Sequence, residues 1–438
     1  MTYPNIKKEN QADLNITEEF QQALDIINKG KKNLFLTGKA GTGKSTFLKY
    51  LKASSPRNMV VLAPTGVSAL NISGQTIHSF FKFKPRFLDK TKIKKKSDWK
   101  IYKNLELLII DEISMVRADM FDAIEYFLRL NGPTPGAPFG GVQICVIGDL
   151  YQLPPIVAYN ETEVFYSHYQ TPFFYSSEAF RMADFEVLEL KEIFRQKDKE
   201  FINFLDKIRN GDTSNKTISY INQRHIKPDI IAKDSPLILT TTNKRAENIN
   251  NIKMSSIKND EFTYEGITSG KFSTNDSRLP SPLELKLKVG SQVMFNKNDN
   301  DKRWVNGTIG TVRELSYDNI KVEVKNKYGS YLHEVEPSTW ESIEYDADIR
   351  TGKIKEKITG KYTQYPIILA WAVTIHKSQG KTLESVYIDL DSGAFAPGQL
   401  YVALSRCTNF EKIVLKEKVN YSDIKCDNRI VEFMKAYM

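Results

Sequence analysis

Residues 38–45 read Gly-Lys-Ala-Gly-Thr-Gly-Lys-Ser. This P-loop pattern constrains the fold because it works only between a buried strand and the start of a helix. Both flanks are present: Asn33–Thr37 is a short apolar run, and a helical pattern begins at about Lys44. Glycines let backbone N–H groups curl around phosphates, and the helix N-terminus adds partial positive charge. Gly38, Ala40, Gly41, Thr42, Gly43, Lys44, Ser45 and Thr46 are therefore the expected nucleotide cradle. Lys44 can reach the β and γ phosphates, and the Ser45 hydroxyl can ligate Mg²⁺. A glycine turn without function would not need the strand and helix on either side.

Two later strand ends fit the same chemistry. Asp111-Glu112 follows the apolar run Leu107–Ile110. Magnesium takes hard oxygen ligands, so Asp111 is the expected metal acid and Glu112 the group that activates water. Gly148-Asp149-Leu150-Tyr151-Gln152 follows the run Val142–Ile147. There Gln152 can sense the γ-phosphate and orient water. Arginines brought from a second lobe complete many phosphoryl-transfer sites. The candidates are Arg195 and Arg406, whose bland alternative is a surface ion pair.

The chain has 438 residues, enough for about three domains. Mean hydropathy is −0.41, and no apolar run approaches the length of a bilayer span. Cys145, Cys407 and Cys426 are odd in number and far apart, which excludes a disulfide scaffold and a zinc spacing. A reducing, intracellular setting is expected: cytoplasm with a bacterial-like nucleoid, with nucleus and mitochondrion still open. Net charge is +9, which points to a polyanion. From Lys82 to Lys103 there are ten basic residues, Lys94, Lys95 and Lys96 among them, and two acids, Asp89 and Asp98. Phe80, Phe81, Phe83, Phe87, Trp99 and Tyr102 lie in or beside this segment. Cations can grip phosphates and aromatics can stack bases. The alternative is a solvated loop whose aromatics pack locally.

Helical patterns run over Thr17–Lys29, Ala118–Leu130, Lys244–Ile257 and Gly398–Leu404. Strand patterns cover Asn58–Ala63, Leu105–Ile110, Leu237–Thr241, Ile367–Ala372 and Val386–Leu390. Such alternation implies parallel, helix-covered sheets. Between about Asp260 and Tyr365 the pattern changes to short strand-like runs broken by glycines, as in a small β-barrel. Thr76-Ile77-His78 returns as Thr374-Ile375-His376, an echo that suits two related α/β lobes.

The ordered motifs are GKAGTGKS (38–45), APTGVSALNISGQTIHSFF (63–81), IIDEISMVRADMFDAIEYFLR (109–129), FGGVQICVIGDLYQLPPI (139–156), LKEIFRQ (190–196), TTNKRAENIN (241–250), AWAVTIHKSQGKTLESVYIDL (370–390) and GQLYVALSRC (398–407). Together they resemble the Pif (petite integration frequency) family of superfamily 1B DNA helicases. GDLYQLPP is also similar to relatives such as the RecD and Dda helicases. The resemblance implies an α/β fold of two RecA-like P-loop lobes. A small basic insertion would sit in the first and an SH3-like β-barrel in the second. The implied boundaries are 1–185 for the first lobe with its insertion at about 80–103, 186–259 and 366–438 for the second lobe, and 260–365 for the barrel.

The resemblance also implies roles. Lys44, Asp111, Glu112 and Gln152 keep those above, and Arg195 and Arg406 become arginine fingers. Gln379 and Gly380 lie in the motif that couples nucleotide to DNA. Pro64, Thr65, Gly66, His78, Phe80, Thr242, Asn243, Thr374, His376 and Lys377 fall in segments lining a single-strand path. The histidines are as readily read as buried loop residues. The family's adenine-reading glutamine has no direct counterpart, because Ile16-Thr17-Glu18-Glu19 is followed by Phe20. Gln22 or Gln21 could serve after a register shift, or Phe20 could pack on the base. The implied activity is ATP- and Mg²⁺-dependent unwinding of duplex, forked or G-quadruplex DNA. It would proceed by 5′-to-3′ movement of a monomer on single strands, in replication, repair, recombination or telomere maintenance. The alternatives are a RecD-like motor inside a larger nuclease or transfer complex, and a nucleotide-switched DNA binder that does not unwind.

Overall fold

A computed structural model describes residues 16–96, 100–225, 236–272, 279–326, 329–348 and 350–437. Asp98 and Trp99 of the basic segment lie outside them. The first helix, Glu18–Lys29, is capped by the Thr17 hydroxyl, which accepts from the Phe20 N–H, and Gly30 ends it. Phe20, Ala23, Leu24 and Ile27 face inward, as a 3.6-residue period requires.

Six parallel strands form the first sheet: β1 (Asn33–Gly38), β2 (Met59–Ala63), β3 (Gln75–Thr76), β4 (Leu107–Ile110), β5 (Gln143–Ile147) and β6 (Phe185–Leu190), in the order β3-β2-β4-β5-β1-β6. Leu107 to Ile110 are wholly buried, the continuous apolar run expected of a strand covered on both faces. The first sheet thus takes in β6, beyond the expected boundary at 185. The second lobe opens with β7 (Leu237–Thr240) and the helix Asn243–Ser256.

Among the described residues the insert follows as ten strands: β8 (Glu261–Glu265), β9 (Ile267–Gly270), β10 (Glu284–Lys288), β11 (Gln292–Phe295), β12 (Ile309–Leu315), β13 (Ile320–Asn326), β14 (Gly329–Val335), β15 (Ser338–Ala347), β16 (Ile354–Gln364) and β17 (Ile367–Leu369). All are antiparallel. Val293, Phe295, Trp304, Val312, Val322 and Ile367 share its apolar core. The β15–β16 hairpin reaches the first lobe. There the Val61 N–H donates to the Tyr345 hydroxyl at 3.2 Å, and Lys52 pairs with Glu356 at 2.8 Å.

The second sheet is completed by β18 (Ala372–Thr374), β19 (Val386–Asp389) and β20 (Ile413–Leu415), parallel in the order β18-β7-β19-β20. The single strand expected over Ile367–Ala372 is therefore two. β17 pairs with β11 in the insert, and β18 pairs with β7. The apolar run is continuous, but its hydrogen bonds change partner at Ala370 and Trp371: Ala370 N–H donates to Gln292 O, and Trp371 O accepts from Ile238 N–H. The last helix, Asn428–Tyr437, departs from the expected 366–438 unit. Ile430 and Met434 join the core of the first lobe, and Phe433 stacks on Tyr175 with centroids 4.1 Å apart. Among the described residues no helix is long and apolar enough to cross a membrane.

Candidate nucleotide cleft and nucleic-acid face

A cavity of about 660 Å³ opens between the two parallel sheets. From the first lobe it is lined by Ala40 to Thr46, Asp111, Glu112 and Gln152; from the other side come Arg195, Gly380, Thr382 and Arg406. The P-loop leaves β1 and enters the helix Lys44–Ser54. Gly41 is left-handed at φ 86°, and a Cβ there would lie 2.6 Å from the Arg195 Cβ. Only glycine lets the loop pass so close to that arginine.

The Lys44 ammonium donates to the carbonyls of Gly38 at 2.7 Å and Lys39 at 2.9 Å. Burial lowers its pKa, and Asp149, Glu112 and Asp111 pull the other way. Asp111 and Glu112 follow β4. Burial pushes Asp111 up to about 6, with Lys44 opposing. Glu112 is pushed up to about 7 by burial and then by the Asp111 charge. Glu112 also adopts a left-handed backbone at φ 50°, a costly conformation for a non-glycine residue and one that clusters at reacting sites. The Gln379 amide spans the cleft, donating to Glu112 Oε2 at 3.3 Å and to Gln152 Oε1 at 3.2 Å.

Neither arginine is a surface ion pair. Arg406 is 1% exposed and donates to Val402 O at 3.0 Å and Ser405 Oγ at 2.9 Å. Burial, and then neighbouring Arg195, lower its pKa to about 9. Arg195 donates to Thr382 Oγ1 at 3.1 Å and Ser405 O at 3.0 Å. Two desolvated guanidiniums side by side are a site for an anion.

The adenine-side expectation needs correction. Gln22 lies on the exposed face of the first helix and donates to Glu18 at 3.1 Å, while Gln21 donates to Asp25 at 2.9 Å. Thr17, Phe20, Leu190 and Phe194 line the cavity there. Phe20 is buried against Phe47 and Tyr50. The helical period that turns Phe20 inward turns both glutamines outward. Sequence reasoning also missed Phe194 and Thr382, although both lie inside or beside quoted motifs.

The expected DNA residues gather at the C-terminal ends of both sheets, the edge where open α/β sheets bind ligands. Thr65 caps the turn after β2, accepting from Ser68 N–H at 3.2 Å, and Thr242 caps the helix after β7, accepting from Arg245 N–H at 3.3 Å. Thr76 and Thr374 likewise cap the turns after β3 and β18. Pro64, Gly66 and His78 are half-buried beside them; Thr242, Asn243 and Lys377 are exposed. His376 is half-buried, and burial lowers its pKa. Phe80 does not join this surface. It is buried against Phe81, Tyr102 and Tyr345. Phe81 and Phe83 stack on each other and pack on Phe127. The described aromatics of the basic segment therefore hold it to the lobe, whereas Lys94, Lys95 and Lys96 are exposed.

A P-loop and two strand-end acids on one sheet, closed by arginines from beyond the cleft, define a two-lobed nucleoside-triphosphatase motor. The family model described as PIF1-like helicase matches residues 15–219. ATP-dependent DNA helicase Pif1 of Campylobacter jejuni is 32% identical over 439 residues, covering 92% of this chain and 95% of that protein. The crystal structure of Bacteroides sp Pif1 in complex with ADP-AlF4 superposes with a TM-score of 0.88 at 37% identity, over 97% of both chains. Bacteroides Pif1 bound to ssDNA gives 0.69, at the same identity and over 97% of both chains. The chain belongs to the PIF1-like helicase family.

Proposed function

We propose that this chain, an ATP-hydrolysing DNA helicase, runs its cycle by opening and closing the cleft between the two parallel sheets. The observation that carries the reading is Gln379. One amide from the second lobe touches both the Glu112 carboxylate and the Gln152 amide of the first. Nucleotide state and lobe position are thereby read by one group.

The P-loop amides and Lys44 hold the triphosphate. Glu112 takes a proton from water as its oxygen attacks the γ-phosphorus and the bond to the β-phosphate oxygen breaks, leaving ADP and phosphate. A carboxyl raised to about 7 is well matched to that transfer near neutral pH. Arg195 and Arg406 balance charge on the departing group, and Gln152 orients the water. Ser45 and Asp111 would supply the hard oxygen donors for magnesium. Among the described residues no group of three His, Cys, Asp or Glu side chains could hold a metal alone, which fits an ion carried on the phosphates. Bound there, magnesium would neutralise charge on the β and γ oxygens.

Single-stranded DNA crosses the strand-end face, past Pro64, Thr65, Gly66 and His78 on the first lobe and Thr242, Asn243, Thr374, His376 and Lys377 on the second. Lys94, Lys95 and Lys96 face the junction with duplex. Direction is 5′ to 3′, on family resemblance, with forked duplexes as the primary substrate and G-quadruplex DNA as a further class. A monomer as the hydrolytic unit is part of the same reading, on family resemblance. Forked duplexes with a single 5′ or 3′ tail, mixed with ATP and Mg²⁺, test the reading. Unwinding of the 5′-tailed fork alone is expected; unwinding of the 3′-tailed fork alone overturns the direction, and unwinding of neither overturns the stand-alone motor.

A further inference from the structure

We infer that Tyr401 is a positioning residue for ATP hydrolysis, its hydroxyl locking the helix that delivers Arg406 to both the P-loop and the Gln152 loop. The inference rests on the catalytic reading above and deepens it. Tyr401 lies on the helix Gln399–Ser405 of the second lobe and is buried. Its hydroxyl accepts from the Ala40 N–H at 3.0 Å and donates to Asp149 Oδ2 at 3.4 Å. One phenol therefore joins the second lobe to both phosphate-facing loops of the first.

The anchor at Asp149 is itself rigid. Its carboxylate is buried and accepts from Arg209 at 3.1 Å, from the Tyr151 N–H at 3.2 Å and from the Gln152 amide at 3.3 Å. The Arg209 guanidinium lies over the Tyr151 ring, 3.8 Å from its centroid. The N-terminus of the Tyr401 helix is equally constrained. Gly398 is left-handed at φ 73°, and a Cβ there would meet Tyr151 O at 2.3 Å and Gln152 O at 2.5 Å. The helix is thus held at its start by Gly398 and in its first turn by Tyr401. Arg406 caps its other end. With the hydroxyl gone, the roll and depth of the helix are no longer fixed against the P-loop. A guanidinium misplaced by a fraction of an ångström costs transition-state stabilisation more than ground-state binding.

Tyr401→Phe keeps the ring and removes only the hydroxyl. Turnover stimulated by single-stranded DNA should fall about 10-fold. The KM for MgATP should stay within about 2-fold, and the DNA Kd and thermal midpoint should hold. In an Arg406→Ala background the same change should cost less than about 2-fold, because the hydroxyl acts through that arginine. Unchanged turnover in Tyr401→Phe overturns the proposal. So does a parallel rise in KM, a full 10-fold cost in the Arg406→Ala background, or a collapse of the fold. Arg406→Ala alone separates the two readings. If it retains full turnover the catalytic assignment fails. If it cuts turnover to a small residual rate, the rate on which the double variant is read, while Tyr401→Phe is silent, only the positioning role fails.

Discussion

Glu112→Gln isolates one charge. The change keeps size and shape, and Gln379 still finds an oxygen acceptor where Glu112 Oε2 stood at 3.3 Å. Lys44 retains Asp149 and Asp111 as counter-charges. Nucleotide and DNA should therefore bind as before, and the loss should fall on turnover. A general base contributes roughly 10²- to 10⁴-fold, or about 3 to 5 kcal/mol of barrier. The acid limb of kcat/KM for the parent enzyme should sit near pH 7, the value to which burial raises this carboxyl, and the rate should climb as pH rises through it. The residual rate of the variant should lack that limb. Stability gives a second sign. A carboxyl raised from its ordinary 4.5 to about 7 is destabilised in its charged, folded form. Its stabilising contribution is present at low pH and lost as pH rises through about 7. The variant never ionises, so its unfolding free energy should exceed the parent's at pH 8 by an amount on the order of 3 kcal/mol, with a correspondingly higher midpoint, and the gap should shrink towards pH 5. Steady-state ATPase with saturating single-stranded DNA, beside anisotropy and thermal melts, measures all of this. Turnover above a tenth of the parent, or an unchanged acid limb, would refute the assignment of Glu112 as base.

Replacing Lys94, Lys95 and Lys96 together by Gln should weaken fork binding. It should also reduce the slope of log K against log salt by about 2, since each lost phosphate contact on a single strand is worth about 0.7; an unchanged slope makes the run a solvated loop. Phe80→Ala should destabilise the fold by about 3 to 5 kcal/mol, read by denaturant melts, because Phe80 packs on Phe81, Tyr102 and Tyr345. Loss of DNA affinity with a normal melt would instead restore Phe80 to the strand path.

What was legible depended on range. The P-loop, Asp111, Glu112 and Gln152 were readable because each stands at a strand end whose apolar run is buried and local. Arg195 and Arg406 could be named from the sequence only as candidates, and the resemblance was needed to make them arginine fingers, since their burial in the cleft arises only where the two lobes meet. Gln22 failed for lack of a phase: one helical position separates a cavity-facing side chain from a solvated one, and glutamines followed the Phe20 site directly. The β15–β16 hairpin carried little pattern, because the buried Trp340, Ile343 and Ala347 of β15 are three and four residues apart and not at every second position, and Lys355 to Ile358 of β16 are all exposed. The division of Ile367–Thr374 between two sheets leaves no composition signal, as both halves are apolar. Asp149, Arg209 and Tyr401 meet from positions 60 and 252 residues apart, beyond any local reading.

The two sheets share one plan and divide its chemistry. In the first, the order β3-β2-β4-β5 matches β18-β7-β19-β20 in the second. At both edges a threonine, Thr76 or Thr374, caps the turn into the repeated Ile-His pair. Between β2 and β3 stands one short helix; between β7 and β18 stand a helix and the whole insert. The insert therefore enters a connection that the first lobe also has. The acids show the division. Asp111, after β4, faces Lys44 in the cavity. Asp389, at the matching end of β19, is tied to Arg245 at 2.8 Å and Lys416 at 3.2 Å. Among the described residues the second sheet has no strand in the place of β1, the one that launches the P-loop. What the second lobe brings to the cavity is the opposing wall. Gln379 and Tyr401 bridge to the first lobe there and Arg406 lines the cavity, so under the proposed cycle hydrolysis would depend on how the two sheets are set against each other, as a translocating motor requires.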